Sequence, residues 1–210
     1  MEVWEAICTR RSVRKFKKTP VPKELIIKVL EAANQAPSAN NRQPWMFTVI
    51  DRDVIEKMQD LLAKSFDQRA KELSEEKYNQ MLAALPIPVE AGQSKVDGLR
   101  TFFKSLGGAP LAIAVDIPKT DDPWRRMCNI QDAAAAMQNM LLAAWSEGLA
   151  TCWMCGPLRN ASFEIEKILK IPADRELIAF TPLGYADHSP KAPPKVGVQE
   201  KVRWLNSKAP

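Results

Sequence analysis

An α+β fold is what this sequence predicts, and three observations lead there. The 210 residues are 46% apolar and 26% charged, enough to pack one domain and too apolar for a disordered chain. The run APLAIAVDIP (109–118) is continuously apolar, as expected of a strand covered on both faces. The helices and strands around it follow one another irregularly, not in the βαβα alternation of a doubly wound sheet.

Taken in order, Trp4, Ile7 and Cys8 suggest a short amphipathic first helix leading into RRSVRKFKKTP. Pro22 suits a first helical turn, and Leu25, Ile26, Val29, Leu30 and Ala33 continue at helical spacing until Pro37. SANNRQP is then a polar loop, and MFTVI (46–50) a strand rich in β-formers. Residues 53–85 read as charged helix, PIPVEAG (86–92) as a break, and 95–106 as another helix. After the apolar strand comes the clearest helix, 127–147. Ile130, Ala133, Met137, Met140, Leu141, Ala144 and Trp145 form one stripe there, and Gly148 sits where a terminating glycine belongs. ATCWM (150–154) and ELIAFTPLGY (176–185) complete the strands, with a helix near 162–170 between them. From 187 the Pro- and Lys-rich chain forms an irregular arm. A single domain over 1–210 is expected, with 62–108 as a helical insertion that is either a lid over a site or a surface hairpin.

The net charge of +5 is concentrated at the two ends. Residues 9–30 carry +7, residues 187–210 carry +3, and the body between them is left at −5. Such ends fit a nucleic-acid patch, a site for a small phosphorylated ligand, or solvated surface. Aromatic interleaving is confined to Phe16 and Trp204, and no zinc-finger, RNP or basic-zipper pattern occurs, so nucleic acid is not expected. No apolar run approaches the ~20 residues of a membrane span. MEVWEAICTRR reverses the charge order of a secretory signal, and four Cys make no disulfide scaffold, so a reducing cytoplasmic setting is expected.

Three segments could carry chemistry. In RRSVR, extended geometry puts Arg10, Ser12 and Arg14 on one side and Arg11 and Val13 on the other, a row of donors for one anion or a solvated basic face. APSANNRQPW (36–45) offers small side chains and amides against which a flat ring could lie, or an ordinary helix-to-strand turn. Cys152-Trp153-Met154-Cys155 has the spacing of a redox pair or half a metal site. Without a second CxxC, and with His188 the sole histidine, it reads better as a buried strand and turn, and no metal is expected. His188 reads as a turn residue. Neither a Ser-His-Asp triad, a GxGxxG nor a P-loop is present.

Together, RRSVRKF, APSANNRQPW, APLAIAV, the helix ending in SEGLATCW, and PLGYADHSPKAPPK resemble the FMN-dependent nitroreductase family, in order from about residue 4 to 200. The resemblance implies a mixed central sheet flanked by helices. It also implies a homodimer with exchanged C-terminal arms and two FMN molecules at the subunit interface. Carried over by position, Arg10, Arg11, Ser12 and Lys195 would hold the FMN phosphate, and Arg14 would approach the N1/O2 edge of the ring. Pro37, Ser38, Ala39 and Asn40 of the second subunit would pack along the ring and ribityl chain. Met154-Cys155-Gly156 falls where the family sets a backbone N–H against flavin N5. Cys155 itself stands where many relatives have an acid or a threonine.

No protein nucleophile is implied, because flavin N5 carries the chemistry. NADH or NADPH would deliver hydride in a ping-pong cycle, and a nitroaromatic, quinone or related electron-poor aromatic would take it. The long 62–108 region, with LRTFFKSLGGAP, looks more like the lid of the iodotyrosine-deiodinase branch. There a Glu, a Tyr and a Lys grip the substrate; Tyr78 and Lys104 are candidates for two of them, whereas position 74 is Ser with Glu75 next. Reductive dehalogenation of halophenols is therefore the alternative activity. A non-catalytic FMN-binding protein is the alternative from another class.

Overall fold

The computed structural model describes residues 1–72, 75–83 and 85–205. Helix α1 (Val3–Thr9) ends where the Arg10 amide bonds back to the Ala6 carbonyl. Helix α2 (Lys23–Asn34) starts one residue after Pro22, which caps it: the Pro22 carbonyl accepts from the amides of Leu25 and Ile26. Strand β1 (Met46–Asp51) runs directly into α3 (Arg52–Glu72), where the Asp51 carboxylate caps the Val54 amide at 2.9 Å.

Helix α4 (Glu75–Ala83) and helix α5 (Lys95–Ser105) follow. A capping box opens α5, with the Ser94 hydroxyl accepting from the Asp97 amide and Asp97 accepting from the Ser94 amide. Helices α3, α4 and α5 turn apolar residues inward. Leu62, Phe66, Tyr78, Leu82, Leu99 and Phe102 are all buried and build one half of the core.

Strand β2 (Leu111–Pro118) is buried along its length as the apolar run predicts. Helix α6 (Pro123–Ser146) starts four residues before the expected 127, because Asp122 caps the Trp124 amide at 3.0 Å and Pro123 takes the first turn. Gly148 ends it at φ +74°, a left-handed conformation that a side chain would strain. Strand β3 holds only Ala150–Thr151, shorter than the expected 150–154. The ladder breaks at Cys152, whose amide bonds to the Thr181 hydroxyl at 3.1 Å instead of a main-chain carbonyl. Met154 then rejoins the sheet through a two-way bridge with Phe180. Helix α7 (Ser162–Ile168) and strand β4 (Arg175–Gly184) complete the elements.

The sheet order is β1-β2-β4-β3, antiparallel throughout, with a register shift at Val115/Asp116. The parallel component is a single bridge, Ser12 to Thr151, at the β3 edge. Alternation along β2 divides the core. Leu111, Ile113, Val115 and Ile117 face α2 and α6, while Ala112 and Ala114 face the cluster built from α3, α4 and α5. Helices thus cover both faces, which explains an antiparallel strand with no polar side. The arm from 187 leaves beside the first basic segment: the Asp187 amide bonds to the Lys15 carbonyl, and Phe16 bridges Ala186. Among the described residues, no helix is long and apolar enough to cross a membrane.

Candidate functional site

The basic N-terminal segment is fixed by its own backbone. Val13 is fully buried and its amide bonds to the Thr151 carbonyl at 2.9 Å, so the residues on either side of it turn away from the core. Arg10, Arg11, Ser12 and Arg14 line a cleft of about 260 Å³ whose far wall is the C-terminal arm, with Lys191 and Lys195. The two basic ends, some 180 residues apart in sequence, therefore meet in one place. Five cationic side chains line this cleft, and among the described residues no carboxylate does.

These cations are not equivalent. Arg11 Nη1 donates to the carbonyls of Cys8 (2.9 Å) and Arg10 (2.8 Å), so it also holds the turn out of α1. Arg14 lies 6.0 Å over the Phe102 ring. Burial pulls the Arg10 guanidinium below its ordinary value; nearby Cys152 opposes this and Arg11 adds to it. The fold thus holds Arg10 partly dehydrated, a cost that a bound anion would offset. Cys152 is buried behind this segment. Burial pushes its thiol up, while Arg14, a hydrogen bond from Ser12 and Arg10 pull it down, so it stays protonated packing rather than a nucleophile.

The loop Pro37–Asn40 is not part of the cleft wall. It is held elsewhere, with the Ala39 amide between both carboxylate oxygens of Asp132 (3.1 and 3.2 Å) and the Ser38 hydroxyl accepting from the Gln43 amide (2.9 Å). Asn40, Asn41 and Gln43 all adopt left-handed φ, near +54°, +54° and +47°. Such a cluster of non-glycine residues stores strain. Asp132 was invisible in the sequence, since it sits inside the apolar stripe of α6. Lys191 was missed because an irregular arm has no period from which a facing can be read.

Met154 is buried and Cys155 exposed, and Gly156 opens a helical turn through Arg159. Gly156 shares a small pocket of about 70 Å³ with Tyr78. Tyr78 is itself buried, edge-on to Phe66 at 6.0 Å. Lys104 stands exposed near the end of α5 and lines neither this pocket nor the basic cleft, so the two lid candidates are not brought together. Position 74 lies outside the described residues.

Burial pushes the Tyr78 phenol up to about 12, with Arg69 opposing and Asp67 adding to the shift. Between pH 10 and about 12 the unfolded chain gives up this proton while the folded chain keeps it, so stability falls as pH rises through that window. Urea denaturation at pH 9 and 11 is expected to show a shallower loss in Tyr78→Phe than in the wild type. Equal losses would mean that the phenol is solvated.

Residues 7–185 match the model of the nitroreductase family. The chain belongs to that family. Among its nitroreductase-family relatives, a 4-nitrobenzoate reductase of Pseudomonas putida is 28% identical over 202 residues, covering 87% of this chain and 85% of the relative. An iodotyrosine deiodinase of Thermotoga neapolitana is 29% identical over 186 residues, covering 88% and 89%. The crystal structure of a nitroreductase with bound FMN from Desulfitobacterium hafniense superimposes with a TM-score of 0.72 at 26% identity, covering 98% and 100%. Both nitroreductase and deiodinase branches thus align over nearly the whole chain.

Proposed function

We propose that this chain is an FMN-dependent NAD(P)H oxidoreductase, cytoplasmic and homodimeric, that reduces nitroaromatics, quinones or similar electron-poor aromatics. The observation that carries the reading is the cleft where Arg10, Ser12, Arg14 and Lys195 converge with no carboxylate among the described residues of its lining. Short donors from several directions are what a phosphate dianion requires, and an arginine disfavoured by burial gives it a reason to bind. FMN, when bound, supplies the centre that accepts and donates hydride.

Arg10, Ser12 and Lys195 hold the phosphate, with Arg11 as a weaker partner because its guanidinium also serves backbone carbonyls. Arg14 places positive charge beside the ring edge where negative charge gathers on reduction, preorganised at no cost during the reaction. The backbone at Met154, Cys155 and Gly156 would offer an N–H to flavin N5. Pro37–Asn40 reach the ring from a second copy, shaped in advance by Asp132. Exposed apolar side chains support that second copy: Trp4 on α1 is 76% exposed, and Trp204 in the arm 62%. The burial of Tyr78 away from Lys104 favours electron-poor aromatics over halotyrosines as substrates.

An absorption spectrum of the purified protein, followed by anaerobic NADH or NADPH, tests the reading. Flavin bands that bleach with the nicotinamide and return with a nitroaromatic or quinone are expected, with slower bleaching in Arg14→Ala. Halide release from a halophenol would move the activity to the dehalogenase branch. Bound flavin that no nicotinamide reduces would leave a binding protein. A colourless chain that takes up no added FMN would overturn the assignment.

A further inference from the structure

A second cavity, larger than the basic cleft, opens on the other side of Arg14. It measures about 590 Å³ and shares only Arg14 with the cleft wall. One wall is the extended run Lys15–Lys18, pinned by the Phe16 amide to the Gly107 carbonyl and by the Lys17 amide to the Tyr185 carbonyl, both at 2.9 Å. The opposite wall is α5 with the strap 88–93. Two glycines allow close packing around it, one between α5 and the strap, the other between the turn after α5 and Arg14. A Cβ on Gly98 would stand 2.6 Å from the Pro88 carbonyl oxygen, and one on Gly107 would stand 2.4 Å from that of Arg14. Gly107 also needs its φ of +67°.

The lining is amphipathic in a particular way. Phe16 and Phe102, both buried, supply aromatic surface, with Val89 beside the opening. Lys15, Lys17 and Lys18 supply charge against Glu90 and Asp187, and Asp187 is already paired with Lys15 at 3.8 Å. Among the described residues neither Lys17 nor Lys18 has an acid within 4.0 Å. A neutral aromatic would leave these lysines unused, and a bare inorganic anion would leave the rings unused. The size falls within the ~300–1,000 Å³ of small-molecule sites.

We propose that this cavity is a second ligand site, separate from the basic cleft, for a small flat organic anion: an aromatic ring bearing one phosphate or carboxylate. The ring packs on Phe16 and Phe102, and Lys17 and Lys18 take the anionic group at the mouth.

Calorimetric titration of 1-naphthyl phosphate and of neutral 1-naphthol into the FMN-loaded protein tests this. One naphthyl phosphate per chain is expected, with naphthol binding much more weakly. Affinity should fall by roughly tenfold or more in Lys17→Glu/Lys18→Glu. Thr101→Trp, which fills the cavity from an exposed helical position, should also abolish binding. No binding to the loaded protein, binding that disappears as FMN is added, or a double variant that binds like the wild type would each overturn the proposal. If the chain takes up no FMN, the functional reading fails on its own. The same titration, wild type against double variant, then decides the second site on the flavin-free protein.

Discussion

Replacing Asp116 by alanine is expected to cost about 3–5 kcal/mol of folding stability. Asp116 is buried at the register shift in β2, and its carboxylate accepts from Arg175 Nε. Arg175 Nη2 also donates to the Asp116 carbonyl at 3.0 Å and the Pro44 carbonyl at 2.8 Å. One guanidinium therefore joins the start of β4, the end of β2 and the loop that enters β1. Taking away the carboxylate leaves that cation enclosed with two carbonyl dipoles and no counter-charge, which costs more than the pair gains over an apolar substitute. Urea denaturation of Asp116→Ala beside the wild type measures the effect. Asp116→Leu combined with Arg175→Met should recover much of the loss, because it removes the stranded charge as well. A single-variant cost under about 1 kcal/mol would class the pair with solvent-exposed bridges.

An Arg10→Ala variant is expected to bind FMN about 10- to 150-fold more weakly, the equivalent of one charge-assisted contact of ~1.5–3 kcal/mol. Arg10 is the strongest candidate in the cleft because the fold already dehydrates it, as the lowering of its guanidinium by burial indicates. The same fact gives a second, opposite readout. A charge that the flavin-free fold disfavours contributes no stability there, so removing it should leave the melting temperature of the flavin-free protein unchanged or raised. Arg11→Ala should show the reverse balance, a smaller loss of FMN affinity and a measurable loss of stability. Its contacts are the carbonyls of Cys8 and Arg10, within the fold itself. Fluorescence titration with FMN and thermal denaturation of both variants separate the roles. An Arg10→Ala protein with wild-type FMN affinity would remove Arg10 from the phosphate site.

The parts of the fold that the sequence made legible are those where local pattern and burial agree. β2 is covered on both faces and so reads as an unbroken apolar run. The stripe of α6 reads as a helix because all seven of its apolar positions lie on one side. Residues 62–108 misled on composition: Lys, Glu and Asp on the outer faces of α3, α4 and α5 hide the buried row from Leu62 to Phe102. β3 is shorter than its sequence suggests because its interruption depends on the Thr181 hydroxyl, 29 residues from Cys152. In the candidate site, the arginines and Lys195 were legible by charge and motif, and the structure brings them together. Asp132 was not, since its meaning lies in an amide 93 residues away.

The strand order has a kinetic consequence. The central pair of the sheet is β2 with β4, and β4 is the latest in sequence of the four described strands, at Arg175–Gly184. Strand β1 waits about 60 residues for β2, while α3 to α5 emerge between them. On the ribosome, helices can form as they appear, but the sheet that buries them cannot close until β4 has left the exit tunnel. Folding is thus weighted towards distant contacts and waits for β4, with β1 and β2 exposed as an incomplete sheet edge in the interval. A truncation that removes β4 strips β2 of its central partner and takes Ala179 and Leu183 from the apolar faces of α2 and α6, so it should yield an aggregating chain rather than a smaller domain.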